Sequence, residues 1–459
     1  MSESFDLIVL GGGRAAALAI AAAKEGWKTA LIERDRLGGT CPNRGCVPSK
    51  LLIGFADAAR HVRHAGRHFI DASIRDIHLG EMFASVNRYI GGVDGRYESR
   101  ADTAGVTLIR GEGRFTGHKQ IEVAGRTLTA DKIVIATGSR PNPPPFAKKP
   151  AWTSDDLFPL EEKPPRSLMI IGGGVIGCEM AAFFSAVGVE TSLFVRKCRL
   201  LGNEDAEIEA VFQEEFEKGV DTRFQSVLKD LKHTNAGFTA VFDTPGGEET
   251  HAAEKVLFAI GRKPKSDGIG LEKTGLTTGD GGFIPVDEHL ETAVPGIHAT
   301  GDVNGRYMLE HAAAREVYFL RKKFLKDHVG AIDEDPVGRA VFSHPELASV
   351  GQTEEELIEN GVPHVAVVTD WLASARLEAM RIEYPRTKLL VSPADHSILG
   401  CHLVGPEAST LIHQVITVMR LKNDVRELAE TIFIHPALNE CLLEAAVRAT
   451  GAVEKHRRG

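Results

Sequence analysis

Long apolar runs and cysteine are scarce in this sequence, and Lys and Arg are outnumbered by Asp and Glu, 54 to 63. No run of about 18 apolar residues occurs, which excludes an apolar transmembrane helix. The formal net charge is -9 at pH 7, so we expect neither nucleic acid nor a membrane as a partner, because both favour a basic surface. The amino terminus, MSESFDLIVLGGG, lacks the basic segment and cleavage site of a signal peptide, and we expect a cytoplasmic protein.

Glycine, by contrast, is abundant, and the chain is too long for a single core. The 459 residues suggest two to four domains, and the 47 glycines indicate many tight turns. A composition of 43% hydrophobic and 25% charged residues is typical of a globular protein. These features favour an α/β fold with several phosphate-binding loops.

Two segments repeat one pattern, in which a short apolar strand leads into three glycines, a helix and a second strand. In the first copy the pattern predicts strands at 5–10 and 29–33 on either side of a helix at 15–24. The second copy predicts a strand at 167–171, a helix at 175–187 and a strand at 191–195. The chain therefore carries two copies of one nucleotide-binding architecture.

The chain after Arg339 has a different character, with strands and helices in mixed order. Apolar stretches there predict strands at 341–342, 365–368, 388–391 and 399–404. Helical patterns occur at 353–360, 408–421 and 437–449. We expect a separate α+β domain.

The first glycine loop fits a dinucleotide fingerprint. Gly11 allows the tight turn, Gly13 lets the backbone approach a pyrophosphate, and Ala16 takes the tolerated final position. Glu33 ends the second strand, where its carboxylate can accept both hydroxyls of a ribose.

The second glycine loop has the same spacing but a different charge at the end of its second strand. Its glycines are Gly172, Gly174 and Gly177. The strand ends at Val195 instead of an acid, and the bases that follow are Arg196, Lys197 and Arg199. Because a carboxylate repels a 2′-phosphate and guanidinium groups pair with it, we expect NADP(H) in preference to NAD(H). A solvated basic loop is the alternative.

Three further turns, each after a short apolar stretch, are predicted to contribute to the two dinucleotide sites. Gly301 and Asp302 form a turn whose carboxylate can accept a hydroxyl of the flavin ribityl chain. Thr137, Gly138 and Gly261 lie at similar strand ends, where the chain passes between domains. Two dinucleotide sites on one chain suggest an electron relay from a nicotinamide that exchanges to a resident FAD.

Two of the six cysteines, Cys41 and Cys46, lie five residues apart in the stretch GGTCPNRGCVPSK. No second close pair exists to complete a zinc site, so we expect no metal. The others read as buried apolar residues, and they are Cys178, Cys198, Cys401 and Cys441. The pair is then either two unrelated core residues or a dithiol–disulfide couple at a helix N-terminus, where the dipole lowers thiol pKa values.

The loop from Gly38 to Lys50 resembles the redox loop of the class I pyridine nucleotide–disulfide oxidoreductases. The similarity extends over the chain, through both glycine loops, the Gly301–Asp302 turn and a C-terminal motif at 434–440. It implies two Rossmann-like domains, for FAD and NAD(P), and a C-terminal α+β dimerisation domain. The implied boundaries are 1–145 and 263–337 for the FAD domain, 146–262 for the NAD(P) domain and 338–459 for dimerisation.

The resemblance also implies roles for the residues around the redox loop. Cys46 would be the flavin-side thiol that forms the charge-transfer thiolate, and Cys41 the thiol that exchanges with substrate. Gly39 and Thr40 would contact FAD.

Two further pairs of residues match the family pattern. Lys50 and Glu179 match an ion pair beside the flavin and nicotinamide. His435 and Glu440 match a catalytic dyad that reaches into the site of a partner subunit, which implies a homodimer. An imidazole can move the proton between thiol and substrate sulfur while a carboxylate fixes its tautomer.

Three functions remain open from the sequence. The basic residues after Val195 favour NADPH-dependent reduction of a small-molecule or protein-bound disulfide through Cys41 and Cys46. The alternatives are NAD-dependent oxidation of dihydrolipoyl groups, with a lipoyl-bearing protein as partner, and a flavoprotein redox sensor without turnover. A basic stretch at 60–75 is either a recognition surface for an acidic disulfide or a solvated face.

Overall fold

The computed structural model describes residues 2–147, 150–333, 336–372 and 374–458. The N-terminal region builds a sheet with helices on both faces. Its elements in chain order are β1 (Glu3–Leu10), α1 (Ala16–Lys24), β2 (Thr29–Glu33), α2 (Thr40–Arg44), α3 (Cys46–Arg63), α4 (Leu79–Gly91), α5 (Val93–Thr103), β3 (Thr107–Arg110), β4 (Arg114–Gly117), β5 (Gln120–Val123), β6 (Arg126–Ile135) and β7 (Ser139–Pro141).

The first sheet has the strand order β3-β2-β1-β6-β5-β4. Strands β3, β2, β1 and β6 are parallel, and β4 and β5 pair antiparallel at one edge. Alternate residues of β1 enter separate apolar clusters, with Ile8 on one face and Leu7 and Val9 on the other. Burial on both faces explains why this strand reads as a continuous apolar run.

The second region repeats the parallel plan and adds a three-stranded antiparallel sheet. Its elements are β8 (Trp152–Thr153), β9 (Ser167–Ile171), α6 (Val175–Ala186), β10 (Glu190–Phe194), α7 (Ala206–Glu217), β11 (Asp221–Arg223), β12 (Val227–Thr234), β13 (Gly237–Thr244), β14 (Gly247–Ala253), β15 (Lys255–Phe258) and β16 (Arg262–Pro264). The parallel sheet has the order β11-β10-β9-β15-β8, and β12, β13 and β14 form the meander.

The chain then returns to the first sheet. Strand β17 (Ile297–Ala299) pairs parallel with β6, and helix α8 (Glu310–Leu325) packs against α1. The turn at 300–304 therefore lies at the carboxyl edge of the first sheet, beside the glycine loop that follows β1. This edge is where ligands bind in open α/β sheets.

The C-terminal region forms a five-stranded sheet of order β18-β19-β22-β21-β20, in which all strands are antiparallel. Its elements are β18 (Arg339–Val341), β19 (Leu347–Gly351), α9 (Glu354–Glu359), β20 (Val365–Asp370), α10 (Ala375–Met380), β21 (Arg386–Val391), β22 (Ile398–Val404), α11 (Ala408–Leu421), α12 (Val425–Ala429) and α13 (Glu440–Arg458). Among the described helices, none combines the length and apolarity needed to cross a bilayer.

One apolar cluster joins the three regions. It contains Leu52 from α3, Phe183 and Phe184 from α6, and Val341 and Leu347 from the C-terminal sheet. The rings of Phe183 and Phe184 meet edge to face, with centroids 4.9 Å apart. Because α3 begins at the second cysteine of the redox loop and α6 begins at the second glycine loop, this core fixes the two loops relative to one another.

Candidate active site

The two cysteines of the redox loop stand at the start of consecutive helices. Cys41 is the second residue of α2, and Cys46 is the first residue of α3, with Gly45 between the helices. Both are free thiols; Cys41 is half-buried and Cys46 is exposed. The predicted position at a helix N-terminus is confirmed.

The two thiols have opposite protonation preferences. A hydrogen bond from the Cys41 thiol lowers the pKa of Cys46, against desolvation by the surrounding atoms, and the nearby Lys50 ammonium lowers it further. The same hydrogen bond, together with burial, raises the pKa of Cys41. The thiolate therefore forms first on Cys46, where the dipole of α3 also favours negative charge.

Asn43 holds the redox loop in shape, a role that the sequence analysis did not assign. Its side chain is 2% exposed, and its amide donates to the carbonyl oxygens of Leu37 at 2.9 Å and Gly39 at 2.8 Å. These bonds close the loop between the glycines and the first thiol. An amide residue in a glycine-rich turn was the signal available in the sequence.

Lys50 and Glu179 form the predicted ion pair, which joins α3 to α6. The Lys50 ammonium donates to both carboxylate oxygens of Glu179 at 2.8 Å, and Glu179 also accepts the backbone N–H of Phe342 at 3.1 Å. The Glu179 side chain is 5% exposed. Burial raises the pKa of this carboxyl group, and Lys50 opposes the rise. The pair lies one helical turn after Cys46.

Another charged pair, Arg14 and Glu310, was not identified from the sequence. Arg14 follows the first glycine loop, Glu310 begins α8, and their charged groups lie 3.6 Å apart. Burial raises the pKa of Glu310, and the Glu310 charge raises the pKa values of Cys41 and Cys46. Glu310 therefore opposes the effect of Lys50 on the pKa of Cys46.

The first glycine loop and the redox loop touch through backbone alone. A Cβ on Gly39 would stand 2.8 Å from the Cα of Gly13, and Gly39 has φ 69°, which L side chains rarely adopt. A side chain at this position would separate the loops. The cysteine pair is thereby held directly beside the dinucleotide fingerprint.

The polar groups around the first loop suit the ribose and ribityl hydroxyls of FAD. Glu33 accepts the N–H of Gly12 at 2.7 Å on one oxygen and that of Asp35 at 2.8 Å on the other. Each oxygen keeps a second acceptor site for a ribose hydroxyl. Asp302 accepts the hydroxyl of Ser139 at 2.5 Å and keeps acceptor capacity in the same way. The residues present therefore fit FAD.

Glu316 on α8 accepts hydrogen bonds from the turn that carries Gly301 and Asp302, a role that was not predicted from the sequence. Glu316 is 3% exposed and accepts from the Thr300 hydroxyl at 2.9 Å, the Gly301 N–H at 2.6 Å and the Asn304 amide at 3.0 Å. These donors satisfy a carboxylate that is buried.

The predicted crossing points also lie beside this turn. Thr137 donates its hydroxyl to the carbonyl oxygen of Lys265 at 2.7 Å, and the next residue, Gly138, has φ 71°. Gly261 has φ 110° and accepts the N–H of Asn142 on its carbonyl oxygen at 3.0 Å. The segments that follow β6 and β15 therefore contact each other where the chain enters and leaves the second region. The contact of Thr137, Gly138 and Gly261 with a cofactor stays a prediction.

The second glycine loop also packs closely. A Cβ on Gly177 would stand 1.8 Å from the carbonyl oxygen of Gly172, so the first turn of α6 requires glycine at this position. A Cβ on Gly174, by contrast, would meet no heavy atom within 4 Å. The open side at Gly174 leaves room for a pyrophosphate at the start of α6.

The basic residues after β10 line an open cleft of about 580 Å³. Its walls come from the loop 196–199 and from Gln225, Val227 and the turn 243–245. Arg196 and Lys197 are exposed. The prediction that Cys198 is buried is wrong: its thiol is exposed in this cleft, because the loop leaves the sheet at Val195. Cys178, Cys401 and Cys441 are buried as predicted.

Arg199 lies in the same loop but uses its guanidinium within the protein. It donates to the carbonyl oxygens of Gly202 at 3.1 Å and Glu204 at 3.3 Å, and lies 4.0 Å from the Glu355 carboxylate. Its predicted part in phosphate binding stays a prediction.

The C-terminal motif places His435 and Glu440 in direct contact. The Nδ1 atom of His435 lies 2.6 Å from a carboxylate oxygen of Glu440, whose second oxygen accepts the N–H of Ala437 at 3.0 Å. The hydrogen bond with His435 lowers the pKa of Glu440. The His435 side chain is 72% exposed, so its Nε2 edge is free to enter another surface.

The basic stretch at 60–75 lies far from the thiols. Helix α3 has 18 residues, a length of about 27 Å, and Arg60 and Arg63 lie at its far end. Arg60 donates to the carbonyl oxygen of Ala182 at 2.7 Å, and Arg63 donates to that of Ala186. Both arginines therefore cap the last turn of α6 and hold the two helices together. Within the described ranges, no group of three or more His, Cys, Asp or Glu residues could hold a metal ion.

Comparison with known proteins agrees with this geometry. A family model described as pyridine nucleotide-disulphide oxidoreductase matches residues 5–316, and the model of its dimerisation domain matches residues 337–446. Dihydrolipoyl dehydrogenase from Chlamydia pneumoniae is 31% identical over 458 residues, 98% of each chain. The enzyme of that name from Thermus scotoductus is 32% identical over 455 residues, 97% of each chain.

Two solved structures superpose over nearly the whole chain with a TM-score of 0.85. They are LpdA from Mycobacterium tuberculosis, 27% identical, and the HOCl-induced flavoprotein disulfide reductase RclA from Escherichia coli, 26% identical. Each match covers 96% of this chain and 99% of the other.

The chain therefore belongs to the pyridine nucleotide-disulphide oxidoreductase family. It is a FAD-dependent disulfide oxidoreductase with a C-terminal dimerisation domain, and the family, fold class and enzyme class predicted from the sequence are confirmed. The domain boundaries and the roles of individual residues stay predictions.

Proposed function

We propose that this enzyme uses NADPH to reduce a small-molecule or protein-bound disulfide through Cys41 and Cys46. The observation that carries the choice of NADPH is the cleft after β10, where Arg196 and Lys197 are exposed beside the second glycine loop. Two cations in an open cleft suit a 2′-phosphate, and no carboxylate stands at the end of this strand to bind a 2′-hydroxyl.

The dithiol would act in two displacement steps. Cys41 loses its proton and attacks one sulfur of the substrate disulfide, which breaks the S–S bond and releases the first thiol. The Cys46 thiolate then attacks the Cys41 sulfur of the mixed disulfide, which expels the second substrate sulfur as a thiolate and leaves a Cys41–Cys46 disulfide. The lowered pKa of Cys46 suits this second attack.

The proton on Cys41 requires a base, because the pKa of this thiol is raised. We assign this role to His435 of the partner subunit in a homodimer, with Glu440 fixing its ring through Nδ1. The imidazole takes the Cys41 proton and returns it to the departing substrate sulfur. The chemistry that a bound FAD supplies is two-electron transfer between the nicotinamide and the cysteine pair.

A second candidate function is favoured by the relatives. The two relatives described above are both dihydrolipoyl dehydrogenases, which supports the reverse reaction, with NAD+ and dihydrolipoyl groups, in which a lipoyl-bearing protein would be the partner. Identities of 31% and 32% leave the substrate open, and the cleft residues favour the first candidate. For either function we propose a cytoplasmic location, where a dithiol couple of this kind stays reducible.

Stopped-flow measurement of flavin reduction tests the proposal. Oxidised enzyme is mixed anaerobically with NADPH or NADH, and the reduced enzyme is then mixed with oxidised glutathione, lipoamide, a mycothiol-type disulfide or coenzyme A disulfide. We expect faster flavin reduction by NADPH and reoxidation by at least one of these disulfides. Faster reduction by NADH together with turnover of lipoamide alone would favour the second candidate. Flavin reduction without reoxidation by any disulfide would favour the redox sensor.

A further inference from the structure

The loop that lines the nicotinamide cleft is anchored to the C-terminal domain by a buried charge cluster. Lys388, on β21, is 2% exposed, and its ammonium lies 3.0 Å from Asp205, 3.2 Å from Glu207 and 2.6 Å from Glu354. Asp205 is fully buried. A buried lysine with three carboxylates has only these groups to replace its hydration, so its position is tightly determined.

Asp205 connects this cluster to the end of the cleft loop. It caps α7 by accepting the N–H groups of Glu207 at 3.2 Å and Ile208 at 3.4 Å, and it accepts the N–H of Glu354 at 3.1 Å. Burial alone would raise its pKa, but His402, the N–H of Glu354 and Lys388 together lower it. Asp205 thus remains ionised between two domains.

Contacts of two more glutamates join the loop to the same domain. Glu204 is 7% exposed and accepts from Arg339 at 2.8 Å and from the Ser349 hydroxyl at 2.6 Å. Glu355 accepts the N–H of Ala206 at 3.0 Å and lies 4.0 Å from Arg199. The segment from Arg199 to Ala206 is therefore held at several points by the domain that carries the dimerisation motif.

The other end of this segment touches the second glycine loop. The N–H of Leu201 donates to the carbonyl oxygen of Gly173 at 2.9 Å, and a Cβ on Gly173 would stand 3.0 Å from the Leu200 side chain. Lys388 is therefore connected to the second glycine loop through Asp205 and Leu201. The link between these two residues is the N–H of Glu204, which donates to the carbonyl oxygen of Leu201 at 2.8 Å. Arg196 and Lys197 lie on the same segment of chain, just before Arg199.

We propose that Lys388 is a positioning residue for the nicotinamide cofactor, holding through Asp205 the loop 196–205 against the second glycine loop. Glu355 acts with it by retaining Arg199. The proposal deepens the proposed function, since it concerns the same cleft, but it applies to either nicotinamide dinucleotide. It assigns the C-terminal domain a part in binding a cofactor that the second region holds.

The test compares Lys388→Met and Glu355→Ala with the control Lys422→Met, which removes an exposed ion pair with Glu427 on the same domain. The measurements are kcat and KM for NADPH and NADH, and binding of 2′,5′-ADP, a fragment that carries the 2′-phosphate. We expect both test variants to raise the KM for NADPH and the Kd for 2′,5′-ADP about tenfold, with kcat within about twofold, because the loop is displaced and the thiols are not. The control should match the wild type.

Loss of folded enzyme would lower kcat without this change in KM. If Lys388→Met does not fold, the Glu355→Ala variant tests the positioning role, because the Glu355 side chain is 49% exposed and its loss should not unfold the protein. Unchanged KM values for the nicotinamide that the wild type prefers would overturn the positioning role. If the wild type prefers NADH and does not bind 2′,5′-ADP, the NADPH proposal fails. A raised KM for NADH in both variants would then still support positioning.

Discussion

The Lys50 ammonium lies 2.8 Å from both carboxylate oxygens of Glu179, across the junction between helix α3 of the N-terminal region and helix α6 of the second region. The same ammonium lies over the ring of Phe342, 4.7 Å from its centroid, at the start of the C-terminal region. One side chain thus contacts all three regions, one helical turn from the thiol with the lowered pKa. The position of this ammonium therefore depends on the packing of all three regions, and its charge lowers the pKa of Cys46.

Replacing Lys50 should make Cys46 less acidic. The wild-type thiolate is present above a lowered pKa and is lost as the pH falls through it. In Lys50→Met the ammonium is gone, and we expect the pKa for alkylation of the more reactive thiol to rise. The measurement is the rate of iodoacetamide alkylation of dithiothreitol-reduced enzyme as a function of pH. Lys24→Met, at an exposed position that ends α1, is the control, and an unchanged profile in Lys50→Met would refute the assignment.

Cys41→Ser should separate the two halves of the reaction. Flavin reduction by NADPH does not require the Cys41 sulfur, so it should proceed at a rate similar to that of the wild type. Disulfide turnover should be abolished, because no thiol remains to attack the substrate. Stopped-flow spectroscopy and steady-state assay measure the two halves separately. Normal disulfide turnover in this variant would contradict the proposed mechanism.

The double substitution Arg196→Ala with Lys197→Ala should discriminate between the two nicotinamides. Loss of two cations from the cleft should raise the KM for NADPH about tenfold to a hundredfold while leaving the KM for NADH within about threefold. Steady-state kinetics with both cofactors measure the change. Arg166→Ala, which removes a 91% exposed guanidinium from the same region, is the matched control. Equal effects on both cofactors would argue against a 2′-phosphate site.

Complementation between chains should show where His435 acts. Cys41→Ser and His435→Ala chains are each expected to be inactive in disulfide reduction. If His435 serves the partner's thiols, a mixed dimer contains one intact site, and co-expression should restore about a quarter of wild-type activity at random assembly. If His435 served its own chain, no mixed dimer would contain an intact site. Absence of recovered activity in purified mixed dimers would overturn the assignment in trans.

The local elements of the nucleotide-binding regions were predictable because they repeat short, strongly patterned motifs. Strands Thr29–Glu33 and Ser167–Ile171 and helix Ala408–Leu421 have the predicted bounds. The last helix was predicted at 437–449, but it begins at Glu440 and continues to Arg458. Val453 continues the apolar spacing of Ala445 and Ala449, so only the last turn, after Val453, lacks an apolar signal.

Elements stabilised by distant partners were missed. Strand Leu347–Gly351 pairs with Ile398–Val404, about fifty residues later, and its own residues did not predict a strand. The meander at 227–253 was also not predicted, since its outer strand alternates exposed polar residues and has little apolar signal. Asn43, Glu310 and Glu316 were missed for a related reason. A polar residue becomes informative only when its buried partners are known.

What the sequence determined by itself was the chemistry: the glycine spacing, the five-residue separation of Cys41 and Cys46, and the missing acid after Phe194 are local properties of backbone and charge. The tertiary structure decided which groups act on one another. Only the packing of α3 against α6 brings Lys50 to Glu179, which is 129 residues away in the chain. Only the fold turns Arg199 toward Glu355, exposes Cys198 and buries Lys388 among three carboxylates, because burial and charge pairing depend on neighbours that are close in space and remote in sequence.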